Sequence, residues 1–377
     1  MNKVIMIGCD LHDRSMLLRV AVDQGDAVTK RFANTSAGRG QLLAWLRERR
    51  DVEGAFRTVF AYEASGQGFG LYDELSVVGV ECHVLSPSHL PQRPAARRRK
   101  TDERDADAIL RELRGHVLAG NPLPDVWVPS RELRDDREVV RARLEAVEKQ
   151  TKVQHQIKCL LKRSAAEIPS EVGSAWTNRL VRWLEQLRDR TRGDLSLGAV
   201  SVLGSLLRQR EAILREVKHL ERAVFALAEA PRYQESVRRL VELTGVAELT
   251  AMVFLTELGD LGRFANRRQI GAYLGLVPST HESGEQNDRK GRITRQGPAR
   301  IRKVLCQAVW TRVRHLPEEQ ARHGRIAHRS PKRRKAATVA CMRRLAVLMW
   351  HRVQPHAEPS RAMQLASPAG DRPRRSG

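Results

Sequence analysis

Two stretches decide the fold: Val4-Ile5-Met6-Ile7-Gly8-Cys9 running into Asp10, and Thr58-Val59-Phe60-Ala61-Tyr62 running into Glu63. Each is a short apolar run closed by a carboxylate, which is the pattern of a strand inside a sheet. Around them, Leu17 to Val22 and Ala27 to Phe32 alternate in polarity and flank the turn residues Asp23, Gly25 and Asp26, so the first three strands read as a meander. Leu42, Leu43, Trp45 and Leu46 form a helical face, Leu71 to Val78 a second helix, and Cys82 to Leu85 a further strand. Strands and helices in this order predict an α/β domain on a mixed sheet, placed at residues 1–130.

Beyond Arg131 the texture changes. Leu133, Val140, Leu144, Val147, Val153, Ile157 and Leu160 mark a long charged helix. Leu206, Ile213, Val217, Leu220, Val224 and Leu227 follow the three-four spacing of a coiled-coil seam, with Arg210 where a seam residue is due. Residues 131–235 therefore predict a helical stalk, either an antiparallel pair or a dimerising coiled coil. Residues 236–353 read as a mainly helical domain punctuated by Gly245, Gly259, Gly271 and Gly275. Residues 354–377, rich in Pro, Ser and Arg, read as a disordered basic tail.

The chain carries 67 Lys and Arg against 44 Asp and Glu over 377 residues, a formal net charge of +23. More than half of that surplus lies between Gln286 and Lys335, where 16 Lys or Arg are opposed only by Asp288, Glu318 and Glu319. A second cluster, Arg93, Arg97, Arg98, Arg99 and Lys100, precedes an acidic segment. Basic residues concentrated in this way suit a polyanion, because each neutralised phosphate releases condensed counterions. No apolar run approaches the ~20 residues of a membrane span, and no signal peptide opens the chain, so a cytoplasmic protein without a membrane partner is expected. Five scattered cysteines with no C-x-x-C pair argue against a disulfide framework or a zinc knuckle.

Asp10 and Glu63 close two strands, while Asp102 and Asp105 lie three apart on a predicted helix, about 60° from each other on one face. Asp107 falls about 140° from Asp102. Four carboxylates converging from two strand ends and one helix would suit Mg²⁺ or Mn²⁺ and phosphodiester chemistry. Taken singly, each also reads as a turn, cap or first-turn helix residue. The glycines Gly66, Gly68 and Gly70 lack the third glycine of a dinucleotide turn, which falls at Leu71, and read as a flexible loop beside Glu63. Gly245, followed by Ala247, gives half of a helix-hairpin-helix phosphate turn. Ser283, followed by Gly284 and surrounded in sequence by Arg289, Lys290, Arg292 and Arg295, reads either as a Ser-Gly turn or as a nucleophile toward phosphorus.

The segments IGCDLH (7–12), YEASGQG (62–68), KTDERDADAIL (100–110), ELGDLGRFANRRQIGAYLGLVPSTHESG (257–284) and GRITRQGPARIRKVL (291–305) resemble the DEDD insertion-sequence transposases, bridge-RNA-guided recombinases of bacterial mobile elements. The resemblance covers about residues 1–115 and 236–350. It implies a RuvC-like (ribonuclease H-like) N-terminal domain binding Mg²⁺ or Mn²⁺ through Asp10, Glu63, Asp102 and Asp105, a coiled-coil stalk, and a mainly α C-terminal transposase domain. It also implies that Ser283 attacks DNA to form a phosphoserine intermediate, and that a non-coding guide RNA pairs with element and target DNA.

On this reading Arg97, Arg98, Arg99, Lys100, Arg289, Lys290, Arg292, Arg295, Arg302 and Lys303 would contact nucleic acid. The partners would be double-stranded DNA, the guide RNA and further copies of the chain as a dimer or tetramer, in a nucleoid-associated bacterial protein. Two rival readings are a hydrolytic RuvC-like nuclease, in which Ser283 is only a turn, and a non-catalytic architectural binder of nucleic acid.

Overall fold

The computed structural model describes residues 3–87, 101–189, 195–280, 290–328 and 330–354. They form two compact units that divide between Val128 and Pro129.

In the first unit, β1 (Val4–Leu11), β2 (Ser15–Val22) and β3 (Val28–Ala33) form the predicted meander. Helix α1 (Ser36–Glu53) leads to β4 (Arg57–Glu63), and α2 (Gly70–Val77) crosses to β5 (Glu81–Leu85). The sheet order is β3-β2-β1-β4-β5, antiparallel through β1 and parallel from β1 through β4 to β5. This mixed α/β sheet is consistent with the expected RuvC-like fold. Helix α3 (Asp102–Ala119) completes the unit.

Side-chain parity divides the sheet into two apolar layers, because successive strand residues face opposite ways. Ile5, Ile7 and Cys9 of β1 join Phe60 and Tyr62 of β4 against Leu42 and Leu46 of α1 and Leu71 and Leu75 of α2. Val4 and Met6 join Val59 and Ala61 against Ile109, Leu110 and Leu113 of α3. Continuing the alternation, Gly8, Asp10 and Glu63 belong to the α3 side of the sheet. Strand β1 runs two residues further than the apolar run predicted, so Asp10 stands within the strand, one residue before its end.

The second unit is mainly helical. Helix α4 (Arg131–Arg163), α5 (Asn178–Asp189) and α6 (Leu197–Ala228) come first. Val140 and Leu144 pack with Val224 and Ala228 at one end, and Val153, Ile157, Leu160 and Leu161 with Leu203, Leu206 and Leu207 at the other, so α4 and α6 run antiparallel. Of the two arrangements left open by the sequence, the antiparallel pair is the one found. Seam residues Leu206, Val217 and Val224 are buried, so burying the seam requires no second copy. Arg210, which interrupts the seam, lies over the Trp176 ring at 5.1 Å from its centroid.

Helices α7 (Gln234–Val241), α8 (Glu248–Leu258) and α9 (Arg267–Tyr273) follow, then a hairpin of β6 (Pro278–Thr280) and β7 (Lys290–Ile293). Helices α10 (Ala299–His315), α11 (Pro317–Ala327) and α12 (Arg334–Val353) end the described chain. Helix α8 is almost wholly buried, and Ala251 to Leu255 form the centre of a core shared with α7, α9, α10 and α12. The turn at Gly245 does not present itself as a phosphate turn. Gly245 has φ +84° and lies against the α10 backbone at Ala308, while Arg312 donates to the Thr244 carbonyl at 3.1 Å. The tail at 355–377 lies outside the described residues. Among the described residues no helix is long and apolar enough to cross a membrane, and all five cysteines are free thiols.

Candidate metal centre

The centre forms where β1 and β4, adjacent and parallel, end together. Cys9 is paired with Tyr62, which brings Asp10 and Glu63 to the same carboxyl edge of the sheet. Helix α3 packs closely on one face of the sheet because β1 lacks a side chain at Gly8. A Cβ there would collide with the carbonyl of Ala106 and the amide of Leu110. The close approach delivers the first turn of α3 to the Asp10 side of the sheet.

That turn is built to carry acids. Thr101 caps it by accepting from the Arg104 amide at 3.4 Å, and Asp102, Glu103 and Asp105 occupy the end where the helix dipole favours negative charge. The cap is thus Thr101, and Asp102 is the first helical residue. The acids of α3 then divide by face. Glu103 and Asp107 point to β2, where Arg19 Nη1 reaches Glu103 at 3.0 Å and Arg19 Nε reaches Asp107 at 2.6 Å. Asp102 belongs to the other group. His12 Nε2 lies 2.9 Å from Asp10 Oδ2 and 3.6 Å from Asp102 Oδ1, and one ligand atom from each of the three lies within 4.8 Å of the others.

Electrostatics mark Asp10 as the strained member. Burial raises its carboxyl above the ordinary aspartate range, Asp102 and Asp105 raise it further, and His12 opposes them through charge and hydrogen bond. A divalent cation would relieve both the burial and the repulsion. The donors, two carboxylates and an imidazole with hard oxygens in the majority, fit such an ion. Asp105 is half-buried one turn along α3 and acts on Asp10 through its charge, while Glu63 is exposed at the end of β4. Neither belongs to the 4.8 Å group.

His12 was not singled out from the sequence. Its signal is the spacing Asp10-x-His12, since residues two apart leave a strand on the same side. The loop beyond Glu63 is pinned rather than free. Gln67 donates to Asp13 at 3.3 Å and accepts from Asn34 at 2.6 Å, and Asn34 also donates to the His12 carbonyl at 2.7 Å. One asparagine therefore ties the glycine loop to the turn that carries His12.

The remaining candidates belong to the second unit or fall outside description. Ser283, Arg97, Arg98, Arg99, Lys100 and Arg289 lie outside the described residues, and Lys290 is placed by its backbone at the start of β7. Arg292 and Arg295 are exposed, the latter at φ +55°. Arg302 Nη1 donates to the carbonyls of Leu274, Gln296 and Gly297 at 3.1 to 3.2 Å, a task that fixes the chain after α9. Lys303 forms an exposed ion pair with Glu148 at 3.1 Å.

Comparison with known proteins gives this arrangement a lineage. The profile of the IS110-type DEDD transposase domain matches residues 7–165, and that described as "Transposase IS116/IS110/IS902 family" matches residues 237–324. The chain belongs to the IS116/IS110/IS902 transposase family. It is 35% identical over 254 residues to y4qE of Sinorhizobium fredii, which is named as a transposase, covering 67% of this chain and 58% of that protein. It is 29% identical over 312 residues to y4rJ of the same organism, covering 78% and 76%. To the "Transposase for insertion sequence element IS1111A" of Coxiella burnetii it is 24% identical over 258 residues, covering 67% and 65%. The match thus spans less than two thirds of the length of y4qE. A DEDD-type domain in this family suggests use of a divalent metal, and the acidic group at Asp10 and Asp102 supplies a place for it.

Proposed function

We propose that this family member breaks and rejoins DNA strands at the ends of an insertion sequence. The observation that carries the reading is the convergence of Asp10 and Asp102 at the carboxyl edge of two parallel strands, with Asp105 and Glu63 at the same edge. Asp10 and Asp102 would hold Mg²⁺ or Mn²⁺, with Asp105 and Glu63 completing the shell. The bound ion would neutralise charge on the scissile phosphate. Asp10, half-buried and crowded by like charges, provides a ligand whose position is fixed by the sheet. Asp102 rides on α3, whose position is fixed by Gly8.

The exchange itself is assigned to Ser283. Its Oγ would attack phosphorus, forming a serine–phosphate bond as the bond to one DNA end breaks. The leaving oxygen departs with a proton as a free hydroxyl, and reversal onto another hydroxyl rejoins the strand. The Ser-Gly context and the basic residues around it support this assignment. A non-coding guide RNA that chooses the target, and assembly as a dimer or tetramer, are part of the same proposal and rest on the sequence resemblance.

The test uses the full chain with element-end DNA and Mg²⁺. An adduct that survives denaturation, is lost in Ser283→Ala and fails to form in Asp10→Ala is the expected result. Free cut ends with no adduct would make the protein a hydrolytic nuclease. Strand exchange unchanged in Asp10→Ala would remove Asp10 from the reaction, and DNA binding by the wild-type chain with neither cleavage nor exchange would leave only an architectural binder.

A further inference from the structure

The second unit carries a cleft of about 730 Å³ between α11, the short turn Pro331–Arg333 and α12, well separated in sequence from the candidate metal ligands. Its lining is four arginines, Arg322, Arg325, Arg333 and Arg344, together with His328 and the small or apolar Ile326, Ala336 and Ala340. Among the described residues no carboxylate lines it. Glu319, which is buried, is shared by three guanidiniums, Arg312 at 3.2 Å, Arg322 at 3.7 Å and Arg344 at 3.8 Å. Among the described residues neither Arg325 nor Arg333 has an ion pair, and both are exposed.

One negative charge is thus shared by three arginines, and Arg325 and Arg333 line the cleft with no ion pair among the described residues. Concentrating cations in this way works against the compact state by self-repulsion. Glu319 draws Arg322 and Arg344 by charge alone, at 3.7 and 3.8 Å, so the donors of these guanidiniums are not consumed by it. Such a multiply charged concavity matches a row of phosphates. The absence of any Trp, Tyr or Phe in the lining speaks against stacking on the bases of a single strand. Arginine forks without base-stacking partners are the chemistry of backbone contact, which positions a duplex without reading its sequence.

We propose that this cleft is a docking site for the sugar–phosphate backbone of duplex DNA, separate from the candidate metal centre. It rests on the reading of the protein as one that works on DNA. The double variant Arg325→Gln/Arg333→Gln tests it, since both side chains are exposed and their loss leaves the fold intact, which thermal unfolding verifies. Binding of a short mixed-sequence DNA duplex to the full chain is followed by anisotropy across a salt series. Each lost phosphate contact lowers the slope of log K against log salt by about 0.9, so the double variant is expected to lose nearly two units of slope. Arg325→Lys/Arg333→Lys is expected to keep most of it. A slope unchanged in the glutamine variant overturns the proposal, and so does a change seen with a single-stranded RNA probe but not with the duplex. Failure of the wild-type chain to cleave DNA, with the slope still dependent on Arg325 and Arg333, would defeat the catalytic reading and leave the cleft standing.

Discussion

Gly8 and Ala106 touch backbone to backbone, and that contact sets how closely α3 approaches the sheet. It also sets the distance from Asp10, two residues beyond Gly8, to Asp102 and Asp105 on the first turn of α3. A side chain at position 8 has no flexible neighbour to displace, only the helix main chain. Gly8→Val is therefore expected to push α3 outward, to cost about 1–3 kcal/mol as an overpacked site, and to reduce Mg²⁺-dependent strand cleavage far more than the stability loss explains. Thermal unfolding beside a cleavage assay on folded protein checks this. Cleavage retained in proportion to the folded fraction would show that the approach of α3 does not set the centre.

The two aspartates Asp105 and Asp107 stand two residues apart on one helix yet belong to different environments. Asp107 takes the guanidinium of Arg19 at 2.6 Å, whereas Asp105 acts on Asp10 through like charge. Asp107→Asn is expected to cost at most about 1 kcal/mol, the range of partly exposed ion pairs, and to leave cleavage within a few-fold of wild type. Asp105→Asn is expected to be folded and inactive. Equal activity losses in the two variants would remove the distinction between the faces of α3.

Much of this was legible because strands and helices keep their periods. The closed apolar runs at Val4–Cys9 and Thr58–Tyr62 mark the two strands that end in carboxylates, though not that they are parallel neighbours, and the three-residue spacing separated Asp102 and Asp105 from Asp107. Other features depend on contacts distant in sequence. Nothing local says that Gly8 admits a helix nearly a hundred residues later, that Arg302 is occupied with three carbonyls, or that Gly245 is covered by α10. The seam at Leu206 to Leu227 has the same spacing whether its partner is another chain or α4, so periodicity alone left both open. His12 could have been found, since it shares strand parity with Asp10, but a lone histidine after a strand carries little weight until Asp102 arrives beside it.

His83 supplies a pH-dependent brace on β5. Its ring lies 2.8 Å from Asp125 and 3.1 Å from Glu81, and these carboxylates raise its pKa above the ordinary 6.5, with the Asp125 hydrogen bond foremost and burial opposing. The folded state therefore holds the proton more tightly than the unfolded chain. The stabilisation is fully present below the unfolded value and is lost as pH rises through the higher folded value. Melting temperature measured through the neutral range is expected to fall with pH more steeply in wild type than in His83→Gln. Parallel curves would show that this histidine contributes nothing to the pH dependence.

Glu257 is an acid buried at the end of α8, 3% exposed, and both its oxygens accept from Arg141 of α4 at 2.9 Å. Its backbone carbonyl accepts from the Tyr273 hydroxyl at 3.0 Å, and the preceding carbonyl, of Thr256, accepts from Arg137 at 2.9 Å. A pair this dry gains little over an apolar pair of the same shape, because desolvation offsets the attraction, but losing one member strands the other. Glu257→Ala is expected to destabilise the second unit by about 3–5 kcal/mol, leaving the half-buried Arg141 guanidinium with only the exposed Glu138, at 3.7 Å. Arg141→Met combined with Glu257→Leu is expected to recover most of that loss. Chemical denaturation of the single and double variants measures both. If the double variant is as unstable as Glu257→Ala, then the packing around Tyr273 and Thr256, rather than the stranded charge, carries the cost.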